Sequence, residues 1–339
     1  MLDPGVRARN VVVGVVGAAV PSELVLAAGL QPARVSGRPR PTPLVDAYGF
    51  DELDPPTTAV MEQLLAPDHG FDFVLIGGDT LAQTILFKTL RELQRVEPVA
   101  SIPPFAFLDL LHLPYRTTAR YNRGQLIRIR DRLATWARAE PTGERIRAAV
   151  ERVNATRRLF SALARLRRSR PARLTGVETM RLVEEALVAP PEPIHRRLSE
   201  VLAQEASLPR YDRKRVYLTG SSHEDDSVYQ AIESRGYIVV GEDHPRGELA
   251  FAGEVAATRN PLDGLVDYYQ HAPLPTRASS RRRGSLVARA ARVAEADLVV
   301  CFGHPYDAAT PWDVPSIRDA VRASGLPLVE LERDGIESL

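Results

Sequence analysis

The chain has 339 residues, enough to bury a sizeable core and, at ordinary domain sizes, to form two domains. Hydrophobic residues make up 44% and charged residues 26%, the balance of a soluble globular protein, and a formal net charge of +1 gives no overall field to recruit nucleic acid or an anionic membrane. The single cysteine, Cys301, excludes an internal disulfide and cannot by itself hold a metal cluster, and no apolar stretch reaches the ~20 residues of a membrane helix.

Residues 11–16 are β-branched and bounded by glycine, the pattern of a buried parallel strand. The apolar run 11–20 follows Arg7 and Arg9 as a secretion signal would. Gly14 and Gly17 interrupt it and no cleavage site follows, so it reads as a first strand and turn in a cytoplasmic protein. Pro21 or Ser22 starts a helix carrying Leu24, Val25 and Ala28, closed by Gly29. The spacing of Gly14 and Gly17 is too sparse for a dinucleotide fingerprint and reads as a tight strand-to-helix turn. Residues 38–43 form a proline-rich connector; a turn at Asp54-Pro55-Pro56 leads to a helix that Thr57 or Thr58 would cap.

A strand over 71–76 opens into Gly77-Gly78-Asp79-Thr80 and a helix over 81–93. Glycine-turn amides beside a helix N-terminus suit an anion, unless Asp79 and Thr80 simply cap. After a strand over 105–110, the chain reads as helix over 121–136, 142–166 and 175–188, the middle one opening at Thr142 and carrying Ile146, Val150, Val153, Leu159 and Leu163 at helical spacing. Pro190-Pro191-Glu192-Pro193 reads as a linker before a helix over 194–205. The arginine-rich runs 165–173, 210–215 and 277–283 read as solvated helix ends and loops, the alternative being a groove for CoA phosphates or an acidic partner.

The second half repeats the strand, polar loop and helix order. A strand over 215–218 opens into Thr219-Gly220-Ser221-Ser222, a helix over 227–234 follows, and a strand over 237–241 opens into Glu242-Asp243-His244-Pro245-Arg246-Gly247. A strand over 298–302, the loop Gly303-His304-Pro305-Tyr306-Asp307, a helix over 316–324 with Val314, Ile317 and Val321 on one side, and a strand over 326–331 ended by Glu332 and Asp334 make a parallel crossover unit. Cys301 falls at a buried strand position, where a thiol is ordinarily inert.

The expected architecture is therefore α/β: two doubly wound parallel-sheet domains, 1–116 and 207–339, joined by a helical region, 117–206, with a ligand cleft between them. Strand-end residues pool into one candidate site. His304, Tyr306 and Asp243 are its acid–base or hydrogen-bonding candidates; Glu23, Gly78, Asp79, Gly220, Ser221, Ser222, Glu242 and Gly303 are its ligand-binding ones, with His244 and Asp307 beside them. A divalent-metal site lacks any diagnostic pair such as HExxH, and a triad of Ser221 or Ser222 with His304 and Asp243 lacks a GxSxG elbow.

Several of these motifs together resemble the subunits of 2-hydroxyacyl-CoA dehydratases and benzoyl-CoA reductases. They are Pro21-x-Glu23-Leu24, Ala27-Ala28-Gly29-x-x-Pro32, Gly78-Asp79, Asn154-x-x-Arg157, Leu174-Thr175-Gly176, Val239-Val240-x-Glu242-Asp243, Phe302-Gly303-His304-Pro305-Tyr306 and Gly325-Leu326-Pro327, in family order. The resemblance implies an acyl-CoA bound between domains and an electron from a 4Fe-4S cluster, charged by an ATP-dependent activator. The family's cluster cysteines fall at Gly78, at Gly303 and within residues 55–58, none of which is a thiol here. The resemblance thus implies a chain that binds no cofactor itself and pairs with a cluster-bearing homologous subunit, or else a repurposed small-molecule binding or scaffold protein, or a cluster-independent enzyme using His304, Asp243 or Tyr306.

Overall fold

The computed structural model describes residues 11–50, 53–97, 101–272 and 278–332; Arg7, Arg9, Arg277, Asp334 and the side chain of Glu332, named above, lie outside the described residues. The first sheet is built from β1 (Val12–Val16), α1 (Ser22–Ala27), β2 (Gln31–Arg34), α2 (Pro43–Asp46), α3 (Pro55–Leu65), β3 (Phe73–Gly77), α4 (Leu81–Val96) and β4 (Phe105–Leu108). Its strands are all parallel, in the order β2-β1-β3-β4. Strand alternation sends Val13, Val15 and Leu75 to one face and Val16, Val74 and Ile76 to the other, where Met61 and Leu64 of α3 and Leu86 and Leu90 of α4 cover them. Asp54, not Thr57 or Thr58, caps α3: its carboxylate accepts the Thr57 N–H at 2.8 Å, and the prolines sit in the first turn, where their missing N–H groups cost nothing.

The helical region comprises α5 (Arg116–Ala137), α6 (Gly143–Arg168), α7 (Gly176–Val188) and α8 (Pro191–Ala203). Thr142 caps α6 and a Thr175/Glu178 capping box starts α7. The expected proline linker instead opens α8, with Pro190 as N-cap and Pro191 in the first turn. With 26 residues, α6 is about 39 Å long. Its Ile146 and Ala149 enter the core of the first sheet, while Phe160, Leu163 and Leu166 pack with α7 and α8.

The second sheet repeats the first: β5 (Lys214–Gly220), α9 (Ser227–Glu233), β6 (Tyr237–Glu242), α10 (Pro261–His271), α11 (Ser280–Val293), β7 (Leu298–Gly303), α12 (Thr310–Ala323) and β8 (Leu328–Glu332), its parallel strands ordered β6-β5-β7-β8. The crossover β7–α12–β8 stands as expected, with Ile317 and Val321 buried. The chain between β6 and β7 does more than connect, because Val255 and Leu262, Leu265, Val266 and Tyr269 of α10 join the core of the first sheet. Helices α11 and α12 meet at Gly284, where a Cβ would stand 2.2 Å from the Ser316 carbonyl oxygen.

Each arginine-rich run sends one residue inward, against the expectation of solvated side chains: Arg167, Arg215 and Arg283 are 1%, 4% and 3% exposed. Arg167 meets Glu242, Arg283 meets Asp243, and Arg215 donates to the carbonyls of Arg168, Ser169, Ala294 and Glu295. Burial of a guanidinium requires such partners, and each of these is found far along the chain.

Candidate functional site

In both sheets the strand order reverses beside the first strand of the repeat, which places a crevice between β1 and β3 and another between β5 and β7. Both crevices are filled from within by a carboxylate. Asp79 accepts the N–H groups of Ala18 and Ala19, so the amides at the β1–α1 turn already hold an anion, and Thr80 caps α4. In the second sheet Asp307 accepts the hydroxyls of Ser221 and Thr310, each at 2.7 Å, and the Ala309 N–H. Burial opposes the Asp307 charge, but these donors hold its carboxyl below the usual range.

The pooled candidates separate into these two edges. Ser221 Oγ receives the backbone N–H of His304 at 2.9 Å and lies beside Thr310, while Asp243 is held by Arg283 at 2.6 Å and by the Thr219 hydroxyl at 3.1 Å. The triad of Ser221, His304 and Asp243 is therefore not assembled: the serine faces Asp307 and the aspartate faces an arginine. Burial, set against the pull of Arg283, raises the pKa of Asp243. Glu242 is tied to Arg167 and accepts the Glu248 N–H. Ser222 and His304 are half-buried; Tyr306 is exposed and stacks on His304 at a ring distance of 4.9 Å. Gly78 donates its N–H to the Leu108 carbonyl, and Asp79 accepts from Ala18 and Ala19 of the same half. Among the described residues no group of His, Cys, Asp and Glu has metal-binding geometry.

Gly220 closes the second crevice. Its φ is +108°, and a Cβ there would stand 2.2 Å from the Phe302 carbonyl oxygen. Gly220→Ala should therefore cost about 2 kcal/mol or more. A urea-midpoint shift corresponding to less than about 0.5 kcal/mol would count against this packing.

Beside His244, three residues outside the pooled set, His223, Arg246 and Arg34, lie at the strand ends. His223, in the loop after β5, is 2% exposed, has neither ring nitrogen bonded, and packs edge-on against His244, Phe302 and His304 at ring distances of 5.0, 5.4 and 5.4 Å. His244 bonds the Tyr229 hydroxyl through Nε2 at 2.7 Å and leaves Nδ1 without a partner. Burial, then the positive charges of Arg246, Arg167 and Arg283, bring the His244 pKa down to about 3, and burial with His244 and His304 also lowers that of His223. Arg246 pairs with Glu224, whose carboxylate also accepts the Gly37 N–H at 3.1 Å and so links the second sheet's loops to the exit of β2. Arg34, at the end of β2, donates to the Gly17 carbonyl at 2.7 Å. Position offered a signal for His223, adjacent to Ser221 and Ser222; Arg34 belongs to a strand that the sequence hides.

A cavity of about 130 Å³ lies between the halves, lined by Arg34 and the Gly17-Ala18 turn from the first sheet, Val153 and Arg157 of α6, Ile194 of α8, and Pro245 and Phe251 beyond β6. Its floor is a polar network. Arg157 pairs with Glu23 at 2.7 Å, donates to Asn154 at 2.9 Å and lies over the Tyr268 ring; Tyr269 donates to Glu23 at 2.8 Å, and Asn154 exchanges two hydrogen bonds with the backbone of Val255. Glu23 and the Asn154-x-x-Arg157 pair thus hold α1, α6 and α10 together.

Two parallel sheets of identical strand order, joined through one long helix around a shared cavity, define a duplicated doubly wound α/β protein. Residues 18–338 match the family 2-hydroxyglutaryl-CoA dehydratase, D-component, and the chain belongs to that family. A curated relative is the (R)-phenyllactyl-CoA dehydratase beta subunit of Clostridium sporogenes, 20% identical over 198 residues, which are 57% of this chain and 52% of that protein; the chain spans about half the length of this relative.

The residues present do not fit the iron–sulfur cluster that the resemblance implies. Cys301 is 2% exposed among Val287, Ala291 and Ile317, and burial pushes its thiol up to about 12. A Cβ at Gly78 would stand 2.9 Å from the Phe107 ring, which stacks on Phe87 and occupies the room a side chain would need. Gly303 has room, with Thr310 Cγ2 3.7 Å from an added Cβ, but carries no ligand atom. Residues 55–58 form the first turn of α3. Thiolates are the usual ligands of such clusters.

Proposed function

We propose that the chain is a subunit of a 2-hydroxyacyl-CoA dehydratase-type or benzoyl-CoA reductase-type enzyme, supporting acyl-CoA dehydration or reduction by a homologous, cysteine-bearing partner. The observation that carries this reading is a family framework spanning residues 18–338 with glycine or a helix turn at each cluster-ligand position. The relative's description as a beta subunit supports a chain that works beside another. Acyl-CoA is the ligand class, and an ATP-dependent activator would serve the partner. Trp312 and Leu81, 80% and 76% exposed at the helix starts that follow β7 and β3, supply apolar anchors for a partner surface.

Co-expression with a cysteine-bearing homologue encoded nearby, followed by size-exclusion chromatography and light scattering, tests the proposal. The expected result is a co-purifying complex with an interface of roughly 2,000 Å² or more, weakened about tenfold or more by Trp312→Asp. Its iron should stay with the partner and be unaffected by Cys301→Ser. A stable 37.4 kDa monomer that ignores every such homologue would overturn the pairing. About four irons bound to the isolated chain would remove the reason for it.

A further inference from the structure

The cavity between the two halves is lined by a cation, Arg34, that no carboxylate among the described residues reaches as an ion pair. Arg157, Arg167, Arg246 and Arg283 each reach a carboxylate, and Arg215 reaches four carbonyls. Arg34 has one carbonyl, that of Gly17, and no ion-pair partner among the described residues. Asp79 is engaged with the Ala18 and Ala19 amides, and Glu224 with Arg246 and Gly37. Withdrawal from water, then the charge of Arg246, brings the Arg34 pKa down to about 10 against the weaker pull of Glu224 and Asp79, neither of which pairs with it. A second donor lines the same space: Nε of Arg157, on a side chain 3% exposed, has no partner.

The rest of the lining is mainly apolar, with Val153, Leu187, Ile194 and Phe251 forming a pocket of about 130 Å³. An apolar cavity of about 150 Å³ takes up benzene, so the room suits a ring or a short branched chain. A planar guanidinium in the wall of a mainly apolar pocket matches a carboxylate. The thioester carbonyl itself offers Arg34 no charge.

We propose that this cavity binds a small free carboxylic acid, its carboxylate pairing with Arg34 and its compact apolar body lying against Val153, Leu187, Ile194 and Phe251. The inference goes beyond the pairing proposed above: it concerns the isolated chain and stands or fails without any partner. Titration calorimetry on the full chain, using benzoate and 3-methylbutanoate against benzamide and acetate, tests it. The two larger acids should bind at least about tenfold more tightly than benzamide or acetate. Arg34→Gln should abolish the preference for benzoate over benzamide. Ala250→Leu, which fills the cavity without touching the charge, should weaken benzoate at least about tenfold while moving the melting temperature by no more than about 2 °C. The proposal is overturned if benzoate binds no better than benzamide, if neither variant changes benzoate binding, or if the two larger acids fail to bind at about 10 mM.

Discussion

Glu23→Gln is expected to destabilise the protein by about 3–5 kcal/mol, the usual cost of leaving one charge of a buried pair uncompensated. Glu23 is wholly buried on α1, its two carboxylate oxygens occupied by Arg157 of α6 and Tyr269 of α10. Burial works against the Arg157 charge, yet the Glu23 carboxylate, with Tyr269 and Tyr268, outweighs it and raises the guanidinium's pKa. An amide at position 23 keeps the shape and removes the counter-charge. Because a buried pair is often matched in stability by apolar groups of similar volume, Glu23→Leu combined with Arg157→Met should cost less than the sum of the single changes. Urea unfolding of the four proteins gives the cycle. A loss below about 1 kcal/mol for Glu23→Gln, or strict additivity, would show that the pair does not hold α1, α6 and α10 together.

The second large effect is expected in acid. His244, with a pKa near 3 in the folded protein, and His223, also lowered, refuse protons that an unfolded histidine accepts below about 6.5. The unfolded state therefore binds more protons in that window. Stability is complete above about pH 6.5 and falls as the pH drops toward 3, by about 1.4 kcal/mol per pH unit for each histidine held neutral. Arg246, Arg167, Arg283 and His304 reinforce the effect at His244; Glu242 and Asp225 oppose it at His223. The lowered carboxyl of Asp307 adds to acid loss, whereas the raised ones of Asp243, Glu233 and Glu248 work the other way. The measurement is the urea midpoint between pH 7 and 4 for the parent and for His223→Gln combined with His244→Gln. The double variant should show a clearly flatter profile, and an unchanged slope would remove these histidines as its cause.

Short-range patterning was legible from the residues alone. Strands β1, β3, β5, β6 and β7 follow from β-branched or apolar runs, α6 and α7 from threonine caps and helical spacing, and the paired parallel sheets from the order of those elements. Strand β2, Gln-Pro-Ala-Arg, carries no such run; it is an edge strand, where proline is tolerated because one side of the ladder is free. The motifs bearing the family resemblance were legible too, since each is a short local string. What the polar members of those strings do depends on partners that folding brings to them. Glu23 and Arg157 are 134 residues apart, Arg167 and Glu242 75, and Arg283 and Asp243 40, so the sequence leaves open which arginine of a run turns inward. The folded chain alone shows that Asp79 and Asp307 fill their own crevices, that His223 is sealed among aromatic rings, and that Arg34 reaches the cavity without an ion-pair partner among the described residues. Hydrophobic periodicity is written into neighbouring residues, whereas charge compensation is settled between residues that meet only when the sheets and α6 pack.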